Sequence, residues 1–223
     1  MKKKHLAILL SRLEGFPEPK PELEQYRTPG NVAAELLWLA YSAGDIAGKV
    51  VADLGAGTGV LAIGAKLLGA EKVYAVEVDE KALEVARKNA ERVGVEVEFI
   101  NSDVSEFRER VDTVVMNPPF GSQRKGSDRP FLLKAFEVAD VIYSIHLAKP
   151  EVRNFIERFS ADNGFTAVRL TTVPLEIPAQ FHFHRKRLER ILVDVYRFSR
   201  DSSEKNILGP ADKGNKTAVW RGR

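Results

Sequence analysis

Strands interleaved with helices predict a parallel α/β sheet covered on both faces, and three observations carry that prediction. Short β-branched runs such as Lys49–Leu54 and Val111–Met116 alternate with longer amphipathic stretches such as Lys81–Val93. A glycine-rich turn, Gly55-Ala56-Gly57-Thr58-Gly59, stands between the first such run and the helical stretch that follows it. The apolar fraction, 44% of 223 residues, is enough for one full core without staples.

The elements follow in order. Residues 1–24 read as a short amphipathic helix carrying Leu6, Leu9, Leu10 and Leu13, then a loop punctuated by Pro17, Pro19 and Pro21. A helix is expected from about Asn31 to Tyr41, with Asn31 as its cap. Strands are expected at Lys49–Leu54, Lys72–Glu77, Val95–Ile100, Val111–Met116 and Val138–His146. Helices fall between them, the first running through Leu68, then Lys81–Val93 and Phe131–Glu137, with Pro150–Phe159 after the fifth strand. Thr166–Val173 and Ile191–Phe198 have no convincing helix between them and read as a closing antiparallel pair. The domain reading is an N-terminal helix and covering segment over 1–30, one main domain over 31–200, and a polar, loosely held tail over 201–223.

Composition excludes several classes. With no cysteine there is neither a disulfide nor a thiolate metal site, which fits a reducing cytoplasm. Arg12 and Glu14 cut the N-terminal apolar run too short for a signal peptide, and no run approaches a membrane span. The net charge is only +3, but His182–Arg223 holds eleven lysines and arginines against five acids. That local excess points to a polyanion contact.

Chemistry concentrates at the expected strand ends. Asp53-Leu54-Gly55-Ala56-Gly57-Thr58-Gly59 places close-approach glycines and free helix amides beside a carboxylate. A nicotinamide fingerprint would put a third glycine at position 60, which is Val60. An acid at position 53 would crowd a pyrophosphate but suits a cationic, amino-acid-bearing ligand such as S-adenosylmethionine. Glu77, at the end of the second strand, can accept from both ribose hydroxyls. Asp103 can accept from an adenine amino group while Val104 packs on the ring. Singly, each acid is ordinary; in this order on successive strand ends they make a cofactor site.

Asn117-Pro118-Pro119-Phe120 closes the fourth strand. An exocyclic amino group is a poor nucleophile because its lone pair is delocalised. Two acceptors aimed at its hydrogens favour pyramidal nitrogen and stabilise the charge that develops on alkylation. The Asn117 side-chain oxygen and the Pro118 carbonyl supply them, the prolines hold the backbone rigid, and Phe120 stacks on the base. Gly121–Pro130, with Arg124 and Lys125, suits a lid that grips phosphates. His182-Phe183-His184 lacks a third ligand, so no metal site is expected. His184, Arg185, Lys186 and Arg187 are instead candidates for RNA contact.

Asp53–Gly59, Glu77, Asp103-Val104 and Asn117–Phe120 resemble the pattern of class I S-adenosylmethionine-dependent amino methyltransferases. More narrowly, the stretch from Lys2 to Phe198 is similar to the family of methyltransferase-like protein 5 and its archaeal relatives, which methylate N6 of an adenosine in small-subunit ribosomal RNA. The resemblance implies a Rossmann-like, seven-stranded, mostly parallel sheet with an antiparallel last strand. It implies that Gln25, Tyr26 and Thr28 belong to a segment folding over the cofactor, with Gly55, Gly57, Thr58 and Val60 around it. It also implies a small zinc-binding activator protein docked by strand addition. Ala56 and Thr58 stand where eukaryotic members commonly carry cysteine. Two rival readings are a protein glutamine-amide methyltransferase and a non-catalytic RNA-binding ribosome-assembly factor. The first is expected to carry tyrosine at position 120 and a further N-terminal domain; the second has no need of Asn117.

Overall fold

The structure, a computed structural model, describes residues 1–121, 126–178 and 188–201. Its strands are β1 (Val50–Leu54), β2 (Lys72–Glu77), β3 (Glu98–Asn101), β4 (Thr113–Met116), β5 (Val141–Leu147), β6 (Phe165–Pro178) and β7 (Leu188–Arg200). They form one sheet in the order β3-β2-β1-β4-β5-β7-β6. The first five are parallel, and β7 runs antiparallel to both β5 and β6. This is the expected Rossmann-like sheet with an antiparallel last strand. The helices are α1 (Lys3–Ser11), α2 (Gly30–Ser42), α3 (Val60–Leu67), α4 (Glu80–Val93), α5 (Arg129–Val138) and α6 (Pro150–Asp162). Among the described residues, no helix is long and apolar enough to cross a membrane.

Alternate strand residues feed two cores. Val51, Val73, Val115 and Ile145 face α1, α2 and α3, where Leu6, Leu10, Leu36, Leu37 and Ile63 are buried. Ala52, Leu54, Val114, Met116 and Ile142 face the other way, against Leu132, Phe136 and Ile156 of α5 and α6. The N-terminal helix is therefore part of the main core, its Leu6 and Leu10 fully buried.

Several boundaries differ from the sequence expectation for local reasons. Asn31 is not a cap: Pro29, held in extended backbone, precedes Gly30 as the first helical residue, and no side chain caps α2. β3 starts at Glu98 because Gly94, at φ +74°, closes α4 and Val95 still donates back to Ala90. β5 starts at Val141 because Ala139 still donates to Ala135, which keeps Val138 in α5. β6 and β7 run longer than expected because they keep pairing with each other after β5 has ended at Leu147. A short 3-10 turn at Pro21–Leu23 was not expected.

The chain order places the site. From β1 the connections lead outward to β2 and β3, and then return to β4 on the other side of β1. A crevice opens at the carboxyl ends of strands where the order reverses in this way. Asp53 of β1 lies level with Val115 of β4, so the glycine turn and the tetrapeptide leave the sheet side by side.

Candidate active site

The glycine turn is shaped for close approach. Gly55, Gly57 and Gly59 all have positive φ, at 77°, 54° and 84°. A Cβ at Gly55 would lie 2.8 Å from the Phe131 ring, and one at Gly57 would lie 2.8 Å from the Phe16 ring. The rings therefore wall the turn, and the backbone itself forms the floor between them. Val60 opens α3 directly behind.

Three acids line the same cavity, which encloses about 300 Å³. Asp53 is buried; its Oδ2 accepts from the Ala62 amide at 2.9 Å, while its Oδ1 is buried without a partner. Burial, assisted by the charge of Glu77, lifts the Asp53 carboxyl to about 8. Glu77 accepts from the amides of Gly57 at 2.8 Å and Asp79 at 3.0 Å, which ties the end of β2 to the glycine turn. Burial raises its pKa against the pull of those two amides. Asp103 stays exposed; its Oδ1 caps the turn through the amide and hydroxyl of Ser105, which hold the carboxyl below its usual range. Val104 and Thr58 also line the cavity, and the Thr58 hydroxyl is buried without a partner. An orphaned carboxylate oxygen, an orphaned hydroxyl and glycine backbone in one cavity fit a ligand with a cationic amino-acid end.

The segment from Phe16 to Thr28 closes the cavity from above. Gln25 is buried with both polar ends engaged: Oε1 accepts from the Lys20 amide and Nε2 donates to Asp79 Oδ2 at 2.7 Å. Asp79 receives the Lys20 ammonium as well, at 2.9 Å, and also caps α4 by accepting from the Lys81 amide. Tyr26 packs its ring against Phe120, with centroids 5.3 Å apart. Burial, then the charge of Glu24, drives the Tyr26 phenol well above its ordinary pKa.

The tetrapeptide forms the opposite wall. Asn117 and Pro119 line the cavity, and Pro118 is buried beneath them. Asn117 Nδ2 donates to Thr28 Oγ1 at 2.9 Å, while Asn117 Oδ1 is buried with no partner. The Phe120 amide donates to Glu24 Oε2 at 2.8 Å. Among the described residues, no backbone hydrogen bond ends on the Pro118 carbonyl. The structure thus brings Gln25, Tyr26, Thr28, Asp53, Gly55, Gly57, Thr58, Val60, Glu77, Asp103 and Val104 together with Asn117–Phe120. Arg124, Lys125, His184, Arg185, Lys186 and Arg187 lie outside the described residues. Among the described residues there is no cluster of three metal-ligating side chains.

Sequence reasoning missed Phe16, Lys20, Glu24, Asp79 and Phe131. Glu24 has φ +49°, the one non-glycine residue with positive φ among those described, and strained backbone of this kind tends to gather at functional sites. The sequence also gave no hint of a Ser-His-Asp line. Ser144 Oγ lies 2.8 Å from His146 Nε2, and Asp128 Oδ2 lies 3.8 Å from His146 Nδ1. The last distance is too long for a hydrogen bond, and Ser144 is wholly buried, so this is no hydrolytic triad. Burial pushes the His146 ring down to about 3, so it stays neutral.

Comparison with known proteins agrees with this geometry. The Methyltransferase small domain family matches residues 32–138. The rRNA N6-adenosine-methyltransferase METTL5 of Danio rerio is 37% identical over 89% of this chain and 99% of its own. The chain belongs to the METTL5 family. Protein MJ0284 of Methanocaldococcus jannaschii is 38% identical over 90% of this chain and 95% of its own. Among solved structures, protein PH1948 of Pyrococcus horikoshii has a TM-score of 0.86 at 65% identity, covering 90% of this chain and 98% of that one. The METTL5 match thus extends well beyond the 32–138 stretch that the domain family covers.

Proposed function

We propose that this protein transfers a methyl group from S-adenosylmethionine to N6 of an adenosine in small-subunit ribosomal RNA. The observation that carries this reading is Asn117 Oδ1, buried and unpartnered in a cavity whose other wall holds Asp53, Glu77 and Asp103. S-adenosylmethionine, when bound, supplies an electrophilic methyl carbon on a positively charged sulfur. The residues that would hold it are Asp53 at the ammonium end, Glu77 at the ribose and Asp103-Val104 at the adenine. Asn117 Oδ1 and the Pro118 carbonyl accept the two N6 hydrogens, which localises the nitrogen lone pair for attack. N6, held by Asn117 Oδ1 and the Pro118 carbonyl, would take the methyl carbon and give its extra proton to water, the electron pair of the broken C–S bond staying with the donor. No strong base is required, and neutral, buried His146 is not one.

The RNA side rests on different observations. β6 and β7 continue together beyond Leu147, so Leu188–Ile191 carries the hairpin roughly 14 Å past the end of β5, on the side where Asn117 leaves β4. Arg185–Arg187 follow Pro178 in that connection and are proposed RNA contacts. Next to the cavity-lining Pro130 and Phe131, Arg129 is exposed, its guanidinium 5.2 Å from the Phe155 ring, and offers a cation to nucleic-acid phosphate. The METTL5 resemblance also supports a small zinc-binding activator, which would add a strand at an open sheet edge, β3 or β6. Val168 and Leu170 of β6 are exposed apolar side chains of the kind such a partner covers. A ribosomal substrate also supports a cytoplasmic location as part of this reading.

Incubating the protein with methyl-tritiated S-adenosylmethionine and unmodified small-subunit RNA, then digesting to nucleosides, tests the proposal. The label is expected in N6-methyladenosine. Label confined to protein glutamine, or to another nucleoside, would overturn it. Asn117→Ala should lower transfer at least a hundredfold while cofactor affinity stays within about threefold.

A further inference from the structure

Glu24, Tyr26 and Thr28 all meet the tetrapeptide, while Gln25 between them turns to Asp79 on the cofactor side. One short segment therefore touches both halves of the site. From this arrangement we infer that Thr28 and Glu24 are positioning residues for the target base, and that Thr28 sets which end of the Asn117 amide meets the adenine amino group. The inference rests on the proposed adenine-N6 reaction and concerns the same site.

A carboxamide has two unlike ends of nearly the same shape, an acceptor oxygen and a donor NH2. Only the oxygen is useful toward an amino group; the NH2 would set donor against donor. In this structure Thr28 Oγ1 takes the Asn117 Nδ2 hydrogen at 2.9 Å, the buried Tyr26 phenol stands beside the same side chain, and Oδ1 is left unpartnered. Thr28 is itself almost fully buried, so water does not readily replace its hydroxyl. Glu24 does the matching work at the other end of the tetrapeptide. Its carboxylate takes the Phe120 amide at 2.8 Å, across 96 positions of sequence, and the Tyr26 ring supports the Phe120 ring from the side. The left-handed backbone at Glu24 is the conformation in which the carboxylate is held there. Thr28 thus acts through Asn117, and Glu24 through Phe120.

The test is a set of position-28 variants assayed with in vitro transcribed small-subunit RNA, with S-adenosylmethionine affinity measured separately by calorimetry. Thr28→Val keeps the shape and removes the acceptor. It should lower the single-turnover rate constant on the order of tenfold or more, with cofactor Kd and RNA KM each within about threefold. Thr28→Ser keeps the oxygen and should recover most of the rate. If Thr28→Val does not fold, judged by its melting curve, Thr28→Ala gives the same comparison. Glu24→Ala should raise KM for RNA more than it lowers kcat, and Glu24→Gln, which still accepts from the Phe120 amide, should restore it. A Thr28→Val rate equal to wild type, or a loss lying wholly in cofactor affinity, would overturn the inference while the adenine reading stands. Failure of the wild-type protein to label adenine N6 would sink that reading itself.

Discussion

The proposed cofactor half and the proposed target half of the cleft are built in opposite ways. On the cofactor side, Asp53 and Glu77 end neighbouring strands, and their partners are backbone amides of the adjoining turn and helix. The sheet alone nearly determines their geometry. On the target side, Asn117 and Phe120 are steadied by side chains of the N-terminal segment, 89 and 96 positions away in sequence. The first half is preorganised by the fold; the second is completed when a separate segment lies down on it. A sheet-end site is thus rigid before any ligand arrives, whereas the amino-group site depends on a cover that must also admit the ligand.

The largest expected effect falls on the rigid half. Gly55→Val combines φ +77° with a Cβ 2.8 Å from Phe131. A branched side chain in left-handed backbone costs about 1–2 kcal/mol, and more here where the Phe131 ring must move aside. Cofactor affinity measured by calorimetry should fall at least a hundredfold. A loss of under threefold would show that the turn yields and that this half is not rigid.

Asp53 gives the next effect. Its carboxyl, raised from 3.8 to about 8, keeps a proton in the folded protein that the unfolded chain has already lost. Its contribution to ligand-free stability is therefore fully present below pH 4 and is lost as pH rises through 8. A cationic ligand favours the ionised carboxylate, so binding should release a proton. Affinity should tighten by up to about tenfold per pH unit between 6 and 8. Calorimetry in buffers of different ionisation enthalpy measures the proton released; no release would remove Asp53 from the ammonium site.

Smaller changes are expected at the cover's anchor. Asp79→Ala removes the partner of both Lys20 and Gln25 and the cap of α4. Cofactor dissociation in stopped flow should quicken about five- to twentyfold, with single-turnover transfer from the loaded enzyme within about threefold. A loss in the transfer step instead would mean that the two sides of the cover are not separable. Lys81→Ala, at the exposed pair with Glu18, should change neither rate.

The same contrast explains what the sequence disclosed. The acids at 53, 77 and 103 were picked out because each lies at or just past the end of an apolar run, and the register of a parallel sheet brings strand ends together. Asn117–Phe120 was legible for the same reason, as the end of β4. Glu24 was not, because its partner is a backbone amide far along the chain and its left-handed conformation leaves no mark on residue type. Gln25 was assigned to the cofactor through family resemblance, yet both ends of its amide are taken up by Lys20 and Asp79. The length of the β6–β7 hairpin was hidden because Pro174, Glu176 and Arg190 interrupt the apolar pattern of its far portion, where Leu175 is buried but Leu192 is exposed. Asn31 misled because capping preference was read without the constraint of Pro29 beside it.

The central claim, methylation of adenosine N6 in small-subunit ribosomal RNA, is tested most directly by nucleoside mass spectrometry of that RNA from cells with and without the gene. The account predicts one N6-methyladenosine lost without the gene, regained with the wild-type sequence and not regained with Asn117→Ala. Small-subunit RNA that keeps every N6-methyladenosine in the absence of the gene would contradict it.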